Sequence, residues 1–132
     1  MVGIINFGAY IPKYRLGVDT VGWHSTQERS VANFDEDTVT MGVAAGYECL
    51  RGFDRKEVDG LIFASTTPPY SEKQCAAIVA EALDLSENLF TSDVTDVLKC
   101  GTSALRLAFD AVVAGSCNQI LVIVSDSRQG PP

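Results

Sequence analysis

The stretch that decides the fold is GLIFASTTPPYSEKQCAAIVAEALDLSENLFTSDV, residues 60–94. It opens with a continuous apolar run, GLIFAS, which is typical of a strand covered on both faces. Pro68 and Pro69 end that strand, the Ala-rich residues 72–83 predict a helix, and residues 89–94 predict the next strand. A strand, a helix and a second strand in this order predict a parallel pair joined by a right-handed crossover.

The residues on either side continue the alternation. Residues 35–50 predict a helix, because apolar side chains recur at helical spacing after an acidic start and Gly52 follows as a stop. Residues 101–114 predict a helix that is apolar on nearly all sides, as buried helices are, and residues 119–125 predict a further strand. The run VGIINFGAYI, residues 2–11, predicts a strand that opens the sheet.

In order, these elements predict one α/β domain with a mainly parallel sheet and helices on its faces. The weakly patterned residues 13–33 predict only a short helix near residues 21–23, capped by Asp19. Ligands of such sheets bind beyond the carboxyl ends of the strands. The predicted ends lie at Pro12 and at residues 66–70, 95–100 and 126–128.

Charge and composition exclude several classes of function. The formal net charge is −7 and the pI is about 4.5, which argues against nucleic acid or an anionic membrane surface as the main partner. The four cysteines are far apart and the chain has one histidine, His24, so no metal site is predicted and the thiols are expected to be reduced. Without a basic leader or a long apolar run, a cytoplasmic location is expected.

The segment TDVLKCGTSAL, residues 95–105, places a cysteine where a strand end turns into a helix. The unpaired N–H groups of a first helical turn and the neighbouring Lys99 both favour a thiolate, which makes Cys100 a candidate nucleophile. The alternative interpretation is a buried cysteine that packs as a small hydrophobic residue. A nucleotide-binding domain is disfavoured, because neither GxGxxG nor GxxxxGK[ST] occurs.

Four runs in the same order resemble one known family: QERSVANFDEDTVTMGVAAG, GLIFASTTPPYSEKQCAA, DVTDVLKCGTSAL and ILVIVSDSR. They are similar to the N-terminal half of the thiolase superfamily, in particular to HMG-CoA-synthase-like and ketoacyl-synthase-III-like proteins. The resemblance implies that residues 1–132 are one half of a thiolase-like αβαβα fold. It further implies Claisen-type chemistry on a cysteine-bound acyl group delivered by coenzyme A.

The resemblance also assigns site positions. These enzymes carry the acylated cysteine in a pattern like A-C-x-x-G-T, and alignment on Gly101 and Thr102 puts Leu98 at that position. The acidic general base of HMG-CoA synthases aligns with Thr66. Arg29 corresponds to an arginine near the coenzyme A entrance of ketoacyl synthase III. Substrate-binding roles are therefore expected for Arg29 and Thr66, whereas Leu98 cannot be acylated and Thr66 cannot act as that base.

Two functional hypotheses follow from the resemblance. The first is an acyl-CoA-handling acyltransferase of HMG-CoA synthase type, with acyl-CoA as substrate, no covalently bound cofactor and Cys100 as a relocated nucleophile. The second is a non-catalytic subunit or fragment, a pseudoenzyme, that forms a homodimer or a hetero-oligomer with a thiolase-type or OB-fold partner. Whether the chain is itself an enzyme stays open between them.

Overall fold

The structure is a computed structural model that describes residues 1–128. Short strands and longer helices alternate along the chain, and one turn of 3-10 helix (Arg55–Glu57) precedes the main sheet. The remaining elements, in chain order, are β1 (Tyr14–Leu16), β2 (Arg29–Val31), α1 (Thr38–Cys49), β3 (Gly60–Ser65), α2 (Cys75–Ala82), β4 (Phe90–Thr95), α3 (Cys100–Val113) and β5 (Ile120–Val124).

The main sheet has three parallel strands in the order β4-β3-β5. Gly60 at the start of β3 stands opposite Phe90 of β4 on one side and Ile120 of β5 on the other. Every residue of β3 is buried, as its uninterrupted apolar sequence predicts. The α/β class and the parallel sheet predicted from the sequence are confirmed.

Alternate residues of the central strand point to two separate cores. Leu61 and Phe63 face α1 and α2 and belong to the larger core. Ile62 and Ala64 face α3 and belong to the smaller one. The sheet is therefore covered by helices on both faces, α1 and α2 on one and α3 on the other.

Two carboxylates fix helix starts. Asp37 is the N-cap of α1, where its side chain accepts a 2.7 Å hydrogen bond from the Thr40 N–H. The N-cap of α2 makes no such bond, and Asp93 of β4 takes over that role by accepting hydrogen bonds from the backbone N–H groups of Cys75 (2.6 Å) and Ala76 (2.8 Å). The start of α2 is thereby tied to the neighbouring strand, because these N–H groups have no partner within the helix.

The predicted first strand is wrong for the described chain. Residues 2–11 form no strand, although their composition favours one, because a strand needs a neighbouring edge to pair with and this segment is paired with none. The predicted helix near residues 21–23 is also wrong. Turns occupy that stretch, and β1 and β2 form an antiparallel hairpin around it, with Tyr14 opposite Val31.

The burial predicted for α3 is only partly correct. Ala104 and Ala108 are buried against the sheet, but Leu107 is 50% and Val113 is 73% exposed. An apolar outer face of this kind is unusual for a helix in contact with water. On the exposed side of this helix Arg106 and Asp110 form an ion pair one turn apart, with Arg106 Nε 2.9 Å from Asp110 Oδ2.

Candidate functional site

The candidate site lies at the carboxyl edge of the sheet, where β3, β4 and β5 end side by side. Three loops continue from these strands over residues 66–70, 96–99 and 125–128. Because β3 is the central strand, the loop that follows it lies between the other two. This edge is the place where open parallel sheets bind their ligands.

Asp126 organises one side of this edge. Its Oδ1 accepts hydrogen bonds from the Thr66 N–H at 2.6 Å, the Thr66 hydroxyl at 2.9 Å and the Ser65 hydroxyl at 3.2 Å. By sequence alone Asp126 could face a ligand or pair with Arg128, because both residues follow the last predicted strand. In the structure the carboxylate joins the end of β5 to the loop after β3, so its first role is to hold that loop in place.

The loop after β3 has further anchors. The Thr67 N–H donates to the Ser65 hydroxyl at 3.0 Å, and the Thr67 hydroxyl accepts from the Ser127 N–H at 3.0 Å. From the other side the buried Thr38 of α1 donates to the Thr67 carbonyl oxygen at 3.2 Å. With Pro68 and Pro69 next in the chain, the loop forms a rigid rim with its shape set before any ligand binds.

The turn from β4 to α3 is strained. Asp96 has a φ of 67°, in the left-handed region that non-glycine residues rarely occupy. Its carboxylate accepts a 2.9 Å hydrogen bond from the Thr95 hydroxyl. This turn brings Val97 and Leu98 to the surface, where they are 43% and 78% exposed.

Cys100 lies on the inner side of the same turn. It is 1% exposed and belongs to the smaller core, together with Ile62, Ala64 and Ala104. The next residue, Gly101, is packed so closely on β5 that an added Cβ would lie 2.9 Å from Val124 Cγ1. The first turn of α3 is thus pressed onto the sheet, which keeps the Cys100 thiol inside and leaves Leu98 outside.

The other predicted site residues are placed in different surroundings. Thr66 lies at the carboxyl edge, where its hydroxyl is engaged by Asp126. Arg29 is half-buried in β2 opposite Leu16, and in the described chain no side-chain hydrogen bond or ion pair joins it to β3, β4 or β5. The structure therefore brings Thr66 and Leu98 to one edge and leaves Arg29 on the separate hairpin.

The remaining thiols have the properties of packed side chains. Burial raises the pKa of Cys49, Cys75 and Cys117, and nearby Asp93 and Asp59 raise it further for Cys75 and Cys117 respectively. Such thiols are poor nucleophiles at neutral pH. Residues 1–128 contain no group of three or more His, Cys, Asp or Glu side chains that could hold a metal ion.

Sequence reasoning missed two features of this edge. The left-handed conformation of Asp96 has only a weak signal in the sequence, because glycine is the usual marker of such a position and aspartate adopts it only occasionally. Asp126 and Thr66 are 60 residues apart, so no local pattern predicts their hydrogen bond. The one available signal is that Asp126 is a polar residue just after a predicted strand.

The chain is similar to known proteins both in sequence and in structure. No family model matches the chain. A hydroxymethylglutaryl-CoA synthase from Methanocaldococcus jannaschii is 34% identical over the whole chain and 42% of its own length. One from Thermococcus onnurineus is 33% identical over 99% of this chain and 40% of its own length. The chain thus spans about two fifths of the curated relatives that it matches.

Solved structures of related enzymes share the fold of this chain. A β-ketoacyl-[acyl carrier protein] synthase III from Thermus thermophilus has a TM-score of 0.81 and 26% identity, over 96% of this chain and 43% of its own. A hydroxymethylglutaryl synthase of the curacin pathway, solved with an acetyl donor carrier protein, has a TM-score of 0.71 and 22% identity over 76% of this chain and 26% of its own. At 22% identity, the similarity to the curacin-pathway enzyme shows a shared fold and nothing more. No helix within residues 1–128 is long and apolar enough to cross a membrane.

Proposed function

Because this chain belongs to the thiolase superfamily, in the group of the HMG-CoA-synthase-like and ketoacyl-synthase-III-like proteins, we propose that it handles acyl-CoA without forming a cysteine-bound acyl intermediate of its own. The family is one of acyl-condensing enzymes. The proposal assigns this chain a binding and positioning role in that chemistry. Its residues 1–132 would correspond to the N-terminal half of the complete fold.

The observation that carries the proposal is the contrast between residues 98 and 100. The surface position at the β4–α3 turn holds Leu98, which has no nucleophilic atom, and the nearby thiol of Cys100 is 1% exposed. To reach a thioester, Cys100 would have to leave the core and the first turn of α3 would have to separate from Val124. Opening of that kind costs a substantial part of a domain's stability, so Cys100 is a poor substitute for an exposed nucleophile.

The same edge supports non-covalent binding of an acyl thioester. Val97 and Leu98 offer exposed apolar contact for an acyl chain, and the hydroxyl-bearing rim of Thr66 and Thr67 stands at the end of the neighbouring strand. Apolar walls with a few fixed polar groups are the usual composition of small-molecule sites. Acyl-CoA is the ligand that best suits the family and this arrangement.

The test is mass spectrometry of the protein after incubation with acetyl-CoA. We expect no mass increase of an acetyl group on any cysteine peptide, whereas binding of acetyl-CoA is still detected by equilibrium dialysis. An acetyl group on Cys100 that hydroxylamine removes would overturn the proposal and establish Cys100 as the nucleophile. Absence of both adduct and binding would refute the acyl-CoA role.

A second candidate function is that of a non-catalytic subunit, and the outer edge of the sheet favours it. Within the described chain β4 pairs only with β3, so its outward backbone groups have no strand partner, although the Gln74 side-chain amide donates to the Thr91 carbonyl oxygen at 3.1 Å. Phe90 at its start is 51% exposed, and β4 contains no proline or lysine of the kind that protects a free edge. A homodimer, or a hetero-oligomer with a thiolase-type or OB-fold partner, would cover this edge.

Light scattering coupled to size exclusion, together with purification from the source, distinguishes these assemblies. A dimer at micromolar concentration, or a co-purifying partner identified by mass spectrometry, supports the subunit function. A stable monomer without partner contradicts it. A cytoplasmic location stays a prediction that fractionation of source cells can test.

A further inference from the structure

Two aspartates stand at the carboxyl edge of the sheet, and they differ in how far their oxygens are engaged. Asp126 Oδ1 accepts hydrogen bonds from the Ser65 hydroxyl and from both the N–H and the hydroxyl of Thr66. Asp96 accepts one hydrogen bond, from the Thr95 hydroxyl to Oδ2 at 2.9 Å, and its Oδ1 accepts none within the described chain. Asp126 is thus committed to holding a loop, and Asp96 is the less engaged carboxylate.

Asp96 has a backbone conformation that its place in the fold does not otherwise require. In the described chain the other non-glycine residue with a positive φ is Asp84, at 53°. Asp84 directly follows the C-cap of α2, and its N–H donates to the Glu81 carbonyl oxygen, so it forms an ordinary left-handed helix end. Asp96 ends no helix, because it lies between β4 and α3. Left-handed non-glycine residues without such a reason cluster at active sites.

The register of the sheet places Asp96 beside the rigid loop after β3. Thr95 stands opposite Ser65 in the parallel pair of β4 and β3. The residues that follow them, Asp96 and Thr66, therefore open two neighbouring loops, on strands that lie about 4.8 Å apart. Because the loop of Thr66 is fixed by hydrogen bonds, the Asp96 carboxylate stands next to a rim of constant shape.

The exposed apolar surface of the edge directly follows this carboxylate. Val97 and Leu98 are the next two residues, and an acyl chain that packs on them has its thioester group next to Asp96. The nearest thiol in the sequence, that of Cys100, is buried and does not reach the thioester. Water does reach the exposed turn, but it attacks a thioester slowly at neutral pH unless a base takes one of its protons.

We propose that Asp96 is the general base of an acyl-CoA hydrolase activity at this edge, an inference that rests on the proposed binding of acyl-CoA. The Asp96 carboxylate accepts a proton from a water molecule while the water oxygen bonds to the thioester carbon. The C–S bond then breaks, its electron pair passes to sulfur, and the proton on Asp96 is transferred to that sulfur. The products are free coenzyme A and a carboxylic acid, which ionises, and Asp96 is again a carboxylate.

The test compares Asp96→Asn with Asp84→Asn as the matched control. Asparagine has the size of aspartate and tolerates the left-handed region, so each variant keeps its backbone and loses only a carboxylate. Release of coenzyme A from acetyl-CoA is quantified by chromatography, and binding is measured by equilibrium dialysis of a thioether analogue that cannot be hydrolysed. We expect Asp96→Asn to hydrolyse acetyl-CoA about 100-fold more slowly with unchanged binding, and Asp84→Asn to match the unmodified protein.

Asp96→Gly provides a second check, because it removes the carboxylate and also relieves the left-handed backbone. It should be as slow as Asp96→Asn without loss of stability. Full hydrolysis by either variant, or loss of analogue binding in Asp96→Asn, would overturn the proposal. Unmodified protein that binds the analogue but does not hydrolyse acetyl-CoA would overturn it too and leave the proposed function standing, whereas absence of binding in the unmodified protein refutes both.

Discussion

Replacing Leu98 by cysteine should create a thiol that reacts much faster than Cys100. The side chain at 98 is 78% exposed, whereas that of Cys100 is 1% exposed. Cys100 reacts only when α3 opens locally; an opening free energy of about 3 kcal/mol slows its labelling roughly 150-fold. The thiol of Leu98→Cys is exposed without any opening of α3. It also lies close to the N-terminus of α3 and to Lys99.

The N-terminus of α3 should raise the reactivity of the thiol at position 98 by a second, electrostatic effect. A charge near a helix N-terminus is stabilised by about 0.3–1 kcal/mol, which lowers a thiol pKa enough to raise the thiolate fraction about two- to fivefold at neutral pH. Leu107→Cys is the matched control, because residue 107 is 50% exposed in the middle of the same helix. It tests exposure without proximity to the helix start.

The assay is iodoacetamide labelling at pH 7, with each cysteine peptide quantified by mass spectrometry over time. The expected order of rates is Leu98→Cys first, Leu107→Cys a few times slower, and Cys100 slowest by about two orders of magnitude. If Cys100 in the unmodified chain reacts as fast as the control thiol, it is not held in the core. If the thiol at 98 is no faster than the control, the helix start does not activate that position.

Three further substitutions and conditions test the packing around the site. Gly101→Ala should lower the free energy of unfolding by about 1–3 kcal/mol, because the new methyl group meets Val124 at 2.9 Å; urea denaturation measures this, and an unchanged midpoint would contradict it. Asp93→Asn should cost about 1 kcal/mol through weaker bonds to the start of α2, with faster amide exchange confined to that helix as the distinguishing result. Burial raises the pKa of Asp59, but the hydrogen bonds from Asn118 and Gln119 outweigh burial and leave the pKa below its ordinary value. Its contribution to stability is therefore present above the unfolded-state pKa of about 3.9 and is lost as the pH falls through the lower folded-state value, so an Asp59→Asn variant should show a flatter decline of stability below about pH 4.

The parts of the fold that could be predicted are those with a local cause. The strand at Gly60–Ser65 is delimited by its own apolar run and by the prolines after it, and the structure has the same bounds. The helix predicted over 35–50 is observed over Thr38–Cys49, because Asp37 rather than Asp35 provides the cap. The first residue of such a helix depends on which of several acidic side chains accepts a hydrogen bond from the backbone N–H groups of the first turn.

The parts that could not be predicted depend on distant neighbours. Residues 2–11 have the composition of a strand, yet strand formation also requires a free edge at the right distance, and their anchors on Cys49 hold them away from β5. The outer face of α3 is apolar in sequence and exposed in the structure for a related reason. An apolar pattern shows that a surface is suited to burial, but it does not show whether the covering element is part of the same 132 residues.

Gly101 and Leu98, on the two sides of the turn into α3, are under different physical constraints. Gly101 is favoured by packing, since a methyl group there would lie 2.9 Å from Val124 Cγ1, so that Val124 or the start of α3 would have to move. Leu98 is 78% exposed and makes little demand on its surroundings, so a cysteine or a leucine at that position serves the fold equally well. The fold therefore sets no requirement for a nucleophilic side chain at position 98. A thiolase-like fold at this turn is thus compatible with a residue at position 98 that carries no thiol, as the proposed function requires.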